Sequence, residues 1–507
     1  MARKYSFLCL FGIFVLASIL LPKSVIAQTH ISEGDVSGEW TKGNSPYFID
    51  GTISVAAGKK LIIRPGTTVF FSGFYSMVVR GTINALGEKD APIVFSFADS
   101  LNKNAAQGWR GIKIHGKAGQ KDTAQFIWCR FSHGNATGDK VEKCRGGAIF
   151  ADSCHFLKIS QCSFFKNAAV AGGAVYARNS TLLVEGCRYE QNRSFTDGGA
   201  LCLVCCNLKM YNNTLLKNHA YSLGGAIMAQ GMKASFANNI VVENTARFGA
   251  GIAMLNDTST LVNNTIAENI STGNGGGIHL EKSATRFINS ILWGNQTGKG
   301  GKQGYMFTGS QPRFWFCNIQ EGARRIGTLS SASSYIDEDY NNIDRDPYFV
   351  RTDTAFYSLD EGSPCIDYGI PDTASLYLPK TDVANRQRIN GRNIDIGAHE
   401  FGAALVDKND AKKNGNEEDN GKPKLKIIAY PNPSGGSFQA LVSNPEHKSL
   451  VLHITTSAGN ILFESPVLES DEVFILPVNI NGKPGMYLMN ITDNKHKKLK
   501  EEKIVIY

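Results

Sequence analysis

The chain has 507 residues, 42% of them hydrophobic, and a formal net charge of +8. That length exceeds one typical domain, so two or three units are expected. The basic excess is thin over so long a chain, which argues against a nucleic-acid partner, and beyond the N-terminus no stretch reaches the ~18 apolar residues of a transmembrane helix.

Residues 1–27 open with Arg3 and Lys4, continue as an apolar run, and end in a small-residue pattern at Val25 and Ala27. This predicts a secretory signal peptide cut after Ala27. Cys9 lies inside the apolar run, where a lipoprotein-type anchor would not place it. Loss of Arg3, Lys4 and Lys23 leaves a net charge of +5, and ten cysteines remain that export would permit to pair.

Farther along, a glycine motif recurs: RGGAIFA at Gly146, AGGAVYA at Gly172, DGGALCL at Gly198, LGGAIMA at Gly224, FGAGIAM at Gly249 and NGGGIHL at Gly275, at steps of 25 or 26 residues. A second marker, the Asn that closes the preceding run, keeps the same period at Asn167, Asn192, Asn218, Asn244, Asn269 and Asn295. A fixed period of this length signals a stacked repeat architecture. Short alternating runs fill each repeat, and none has the 3.6-residue period of an amphipathic helix. Three apolar columns follow: Ile159, Val184, Met210, Phe236, Leu261, Phe287; Phe164, Tyr189, Leu215, Val241, Ile266, Leu292; and Ile149, Val175, Leu201, Ile227, Ile252, Ile278. They predict three strands per coil, with coils stacked at the strand spacing of about 4.8 Å. Glycine is expected where the backbone turns with positive φ or passes close to the next coil, and asparagine where a corner takes the left-handed conformation and amides stack. Cys129, Cys162 and Cys187 share one position in successive repeats; a stack of small apolar thiols explains that column, and only two of the three could pair with each other.

The N-x-A-x-x-x-G-G-A-[IVL] pattern, clearest from Asn167 to Val175, resembles the repeats of polymorphic outer-membrane proteins within the right-handed parallel β-helix, or pectin-lyase-like, superfamily. Upstream, GTISVAAGKKLIIRPGTTVFF (51–71), GTINALG (81–87), APIVF (91–95) and GWRGIKI (108–114) are similar to the opening coils of secreted bacterial β-helix proteins. The resemblance implies an all-β chain with a right-handed parallel β-helix over residues 28–320. It does not fix an activity, because that fold carries lyases, hydrolases, adhesins and phage spikes.

Residues 321–402 contain NNIDRDPYFV, GSPCIDYGIP and DVANRQRINGRNIDIGAHEF, which resemble the tail that closes such helices, with Asp367, Asp382, Arg388, Asp395 and Glu400 at matching places. Asn385 stands where that family has Gly, a tolerable exchange at a left-handed position. A polar, ion-paired cap over the open end is expected, since an unfinished helix exposes an edge. The stretch DEDYNNIDRD lacks the central Gly and terminal Glu of a calcium-binding EF-hand loop. Residues 403–424 are charged and almost free of large apolar side chains, as a flexible linker is. In residues 425–507, YPNPSGGSF, AGNILF, PGMYLMNI and KIVIY resemble the C-terminal sorting domain of the type IX secretion system, a small β-sandwich. That resemblance implies a Bacteroidota-like origin, transport through the periplasm to the outer-membrane surface or the extracellular space, and the secretion machinery with its sorting peptidase as partners.

Alternation places Phe150, Tyr176, Cys202, Met228, Ala253 and His279 in one outward row, and Asp152, Arg178, Val204, Gln230, Leu255 and Glu281 in the next. The first row is apolar for an exposed face. Either a loop or the insertion near residues 134–145 covers it, or Phe150 and Tyr176 form a strip for stacking sugars or docking a partner. Asp152 with Arg178, and His279 with Glu281, are the candidate catalytic pairs, although the first reads as readily as a cross-strand ion pair. Lys217 over Glu243 reads as a solvated pair. No metal site or cofactor is indicated; calcium enters only if the chain is a polysaccharide lyase. Three functions remain open: an adhesin-like binder of glycan or of host or biofilm protein, a polysaccharide lyase or glycoside hydrolase, and a passive surface-layer component.

Overall fold

The computed structural model describes residues 28–98, 108–117, 123–138, 144–329, 333–352, 355–373, 376, 378–406, 425–430, 437–443, 448–456, 459–468, 473–480, 485–495 and 497–506. The expected signal peptide and residues 407–424 of the expected linker lie outside these.

In one coil, Ser163–Phe165 belongs to a first sheet, Val175–Arg178 to a second and Thr181–Glu185 to a third. Each sheet contains twelve parallel strands, so the chain winds as a β-solenoid. Between the first and second sheets runs a ribbon of seven two-residue strands, such as Ala168–Ala169, which the apolar pattern gave no reason to expect. The predicted columns stack in register: Ile159, Val184, Met210, Phe236, Leu261 and Phe287 are successive partners in the third sheet. All eighteen residues of the three columns are at most 2% exposed and belong to one continuous core.

The corners explain the punctuation residues. Gly172 has φ +64°, whereas a Cβ on Gly173 would collide with the carbonyl oxygen of Gly199 in the next coil. Each glycine of the pair thus has its own reason, a turn for the first and a close approach for the second. The left-handed position beside each periodic asparagine is one residue earlier than expected, at Lys166, Gln191, Lys217, Glu243, Glu268 and Gly294. The asparagines themselves are buried and point inward. Asn192 donates from its backbone N–H and from Nδ2 to Asn218 Oδ1, at 3.0 and 2.9 Å, and Asn218 donates likewise to Asn244. A buried backbone N–H that has no strand partner is thereby satisfied one coil along.

The cysteine column follows the same rule. The N–H of Cys129 donates to Cys162 Sγ, that of Cys162 to Cys187 Sγ, and that of Cys187 to Asn213 Oδ1. All ten described cysteines are free thiols.

Beyond residue 320 the coil continues through Gly327–Thr328 and Glu338–Tyr340, so the solenoid runs past the boundary expected there. The tail that follows adds no further strand to the three main sheets. It turns back along the flank, where Tyr357 and Ala398 pack on Leu216, Ile240 and Val242, and Ile370 and Ile394 on Val262 and Ile288. Outward-facing asparagines hold it: Asn263 Nδ2 donates to the carbonyls of Asp395 and Gly397, and Asn289 Oδ1 accepts from the N–H of Ile370. Apolar residues on the outer faces of the first and third sheets supply the surface that it buries. Asp367, Asp382, Asp395 and Glu400 serve mainly as acceptors for backbone N–H groups within the strap, and buried Arg388 lies 3.7 Å from Glu400. Asn385 is left-handed at φ +61°.

The C-terminal region is an antiparallel sandwich. Lys426–Tyr430, Ser437–Ser443 and Val473–Asn479 form one sheet; Ile461–Glu464, Leu450–Thr456, Gly485–Asp493 and Lys498–Ile506 form the other. Both contribute to one core, including Phe438, Val442, Leu452 and Met489.

Replacing Asn218 by Leu leaves two donors of Asn192 without an acceptor inside the core, each costing about 1–3 kcal/mol. Chemical denaturation followed by far-UV circular dichroism should show a loss of about 3 kcal/mol, while Lys217→Gly, at the neighbouring left-handed position, should change stability by less than about 1 kcal/mol. Equal midpoints for Asn218→Leu and the parent chain would show that the ladder contributes nothing.

Candidate functional site

The outward face of the second sheet carries the residues of interest. Its first outward row stacks Val78, Lys113, Phe150 and Tyr176 on successive strands; the second stacks His115, Asp152 and Arg178. Over these rungs lies a groove of about 660 Å³, lined by Ser76, Val78, Arg80, Arg110, Lys113, His115, Arg145, Phe150, Asp152 and Arg178. Five of those side chains are Arg or Lys, and the single carboxylate is already paired.

That pair is Asp152 with Arg178, joined at 2.6 Å. The Arg178 guanidinium holds the Asp152 carboxyl below the usual carboxylate range, and Ser153 Oγ adds a 3.1 Å hydrogen bond. Asp152 is thus an anchored ion-pair member, which suits it poorly to general acid work.

Lys113 is the unusual group. Its Nζ donates to the carbonyls of Arg145 and Gly146 at 2.7 and 3.2 Å and lies 5.6 Å from the Phe150 ring centre. Burial, and secondarily the charge of Arg110, push its pKa down to about 7. Burial, then the charge of Arg80, also lowers the pKa of His115. The cations are held over rings: Arg110 over Phe74 at 4.7 Å and Arg145 over Tyr176 at 4.9 Å. Arg145 also donates to the Tyr176 hydroxyl at 3.2 Å.

The expected aromatic strip is covered for most of its length. Phe150, Tyr176, Cys202, Met228, Ala253 and His279 are 9, 6, 2, 7, 0 and 5% exposed. The reason is local: Ala171 and Leu223, at the corners that enter the second sheet, fold over the row and make a small second core with it. Phe150 reaches the groove wall, whereas Tyr176 is roofed by Arg145.

The structure does not assemble the second catalytic pair. His279 sits among Phe248, Tyr305 and Phe307, its Nδ1 buried without a partner, and burial pushes its pKa down to about 4. Glu281 is two residues along on the same strand, and no hydrogen bond joins the two among the described residues. Lys217 and Glu243 are 3.5 Å apart, as read from the sequence. Sequence reasoning missed Arg80, Arg110, Lys113, His115 and Arg145: the first four belong to coils upstream of the regular period, and Arg145 stands just before the first glycine pair, outside the two outward rows. For Arg110, Lys113 and His115 the one available signal was their alternation with apolar residues in GWRGIKIH. Among the described residues, no three His, Cys, Asp or Glu side chains are grouped to hold a metal ion.

Against known proteins, residues 107–296 match the family profile described as "Periplasmic copper-binding protein (NosD)". A segment of 54 residues is 41% identical to "Protein bark beetle" of Drosophila melanogaster, covering 11% of this chain and 2% of that protein.

Carbon-13 shifts of the Lys113 Cε, assigned with Lys113→Arg, should titrate near pH 7. A midpoint at the ordinary lysine value of about 10.4 would contradict a desolvated amine. The geometry establishes a β-solenoid, and residues 107–296 of it are similar to the family described as "Periplasmic copper-binding protein (NosD)".

Proposed function

We propose that the chain is an exported β-helix protein that binds an acidic glycan along the outer face of its second sheet. One observation carries this: a groove whose lining holds four arginines and Lys113 against a single paired carboxylate, with an aromatic wall at Phe150. Carboxylates or sulfate esters would meet guanidinium forks, and sugar faces would meet the ring. The periplasmic description of the matching family supports export. Copper finds less support: the stacked thiols of Cys162 and Cys187 are occupied as hydrogen-bond partners, and burial raises their pKa well above the ordinary value, which disfavours the thiolate that a soft metal needs.

A second reading, a polysaccharide lyase, is favoured by Lys113 specifically. When neutral, its amine can give both N–H groups to the Arg145 and Gly146 carbonyls and keep a lone pair for proton abstraction beside arginines that would neutralise a substrate carboxylate. Calcium has no carboxylate cluster to hold it in this groove.

Purified protein should be retained on polygalacturonate, alginate or dextran sulfate, with affinity that falls as salt rises. The double variant Arg80→Ala/Arg110→Ala should bind about tenfold more weakly or worse while its circular dichroism is unchanged. Equal affinity in the double variant would refute the groove. Unsaturated products that disappear with Lys113→Met would favour the lyase over the binder.

For export, we propose that residues 425–507 act as a type IX sorting domain, supported by their motifs and sandwich form. Deleting them should leave the protein in the periplasm; undiminished appearance outside the cell would exclude that role.

A further inference from the structure

The ribbon between the first and second sheets carries an exposed aromatic row that the groove does not include. Phe195 is 48% exposed and Tyr221 71% exposed. Ser194 pairs with Ala220, so the backbone segments that carry the two rings lie on adjacent coils, about one strand spacing or 4.8 Å apart along the axis. Tyr221 is the most exposed aromatic of the described residues.

Cations accompany the rings. Arg193 lies over Phe195 at 5.0 Å, and Arg247, which follows in the next coil, over Phe248 at 5.1 Å. The outward ribbon row reads Ala168, Arg193, His219, Thr245, Ile270 and Gln296, with no carboxylate in it. His219 shares a 2.8 Å hydrogen bond with Thr245, and burial, followed by the charge of Arg193, lowers its pKa. Asp197, the nearby acid, accepts from the backbone N–H of Leu223 at 3.0 Å and so is engaged by the main chain.

Arg193 over Phe195, the exposed ring of Tyr221 on the next coil and Arg247 over Phe248 on the one after it place ring surface and anion-binding forks together along the axis. A uronic-acid polymer presents the complement: an apolar ring face and one carboxylate per unit. The ribbon also lies directly before the corner that leads into the second sheet, on coils that continue downstream from the groove. We infer that Arg193, Phe195, Tyr221 and Arg247 form a second contact surface for an acidic glycan chain, which extends the groove into a track for long polymers. The inference rests on the groove reading above.

Titration calorimetry of the full protein with polygalacturonate and with trigalacturonate separates the two claims. The parent should bind the polymer at least about tenfold more tightly than the trimer. Phe195→Ala/Tyr221→Ala should lose about that factor on the polymer and nothing on the trimer, whereas Arg80→Ala/Arg110→Ala should weaken both. These substitutions are on the surface, and unchanged circular dichroism confirms folding. Equal polymer and trimer affinities in the parent, or an aromatic double variant that binds polymer normally, overturn the track while leaving the groove standing. Failure of both probes to bind overturns the groove and the track together. Tighter binding of oligo-deoxythymidylate than of polygalacturonate, lost in the aromatic variant, assigns the row to single-stranded nucleic acid and overturns the glycan inference.

Discussion

The structure depends on how the backbone N–H at each corner is satisfied. At all three corners between the main sheets a left-handed residue bends the chain, and the next residue points inward. Gln161 precedes Cys162, Lys166 precedes Asn167 and Asn179 precedes Ser180. After such a bend the inward residue's N–H runs along the axis toward the next coil. There the equivalent side chain accepts it, as Ser180 Oγ does for Cys154 and Asn192 Oδ1 does for Asn167. Thiol, hydroxyl and amide are therefore interchangeable in these columns as acceptors. An amide does more, since Asn218 Nδ2 also donates to the Tyr189 carbonyl and to Asn244. Dipoles aligned over several coils polarise one another, which favours long unbroken runs of asparagine. Nothing in the structure explains why three thiols gather in the early coils.

The same bends set what the outside offers. A left-handed residue turns its own side chain outward, and at one corner four of these are asparagines: Asn212, Asn238, Asn263 and Asn289. They bind Thr381, Asp395, Gly397 and the N–H of Ile370, and so fix the strap to the flank. Tyr357 adds a 2.5 Å hydrogen bond to Glu268, whose carboxylate also meets Arg351. The strap takes much of the downstream outer surface of the first and third sheets, and its described contacts are not with the outer rows of the second sheet or with the ribbon. The groove and the aromatic row occur on those two.

The inward half of the architecture was legible in the sequence because an inward side chain meets its own kind in the next coil, so a single period reports every contact. Ile149, Val175 and Leu201 are found where that logic places them. The outward half was not legible, for two physical reasons. Whether Tyr176 is bare or covered depends on Ala171 and Leu223 from a different corner, a contact that leaves no periodic trace. The groove cations escaped because the early coils are irregular: Met77, Ile112 and Ile149 stack although 35 and 37 residues separate them. Asp152 and Arg178 were recognised because they fall inside the regular part, and the bland interpretation of that pair, a cross-strand ion pair, is what the geometry displays.

The groove is costly to the fold that carries it. Arg80, Arg110, Lys113, Arg145 and Arg178 share one groove with a single carboxylate, and Lys113 shows the cost: burial first, and then the charge of Arg110, push its pKa down. Ring contacts from Phe74 and Tyr176 offset only part of it, since such contacts contribute about 0.5–2 kcal/mol each. A stack of coils has cheaper solutions available: farther along the same face the equivalent positions are Met228 and Ala253, Gln230 and Leu255. A local arrangement that works against stability, placed where the neighbouring coils show that apolar or neutral residues suffice, is what the proposed binding role would account for and scaffolding alone would not. An anion in the groove would remove the repulsion, so ligand binding and folding should reinforce each other over these early coils.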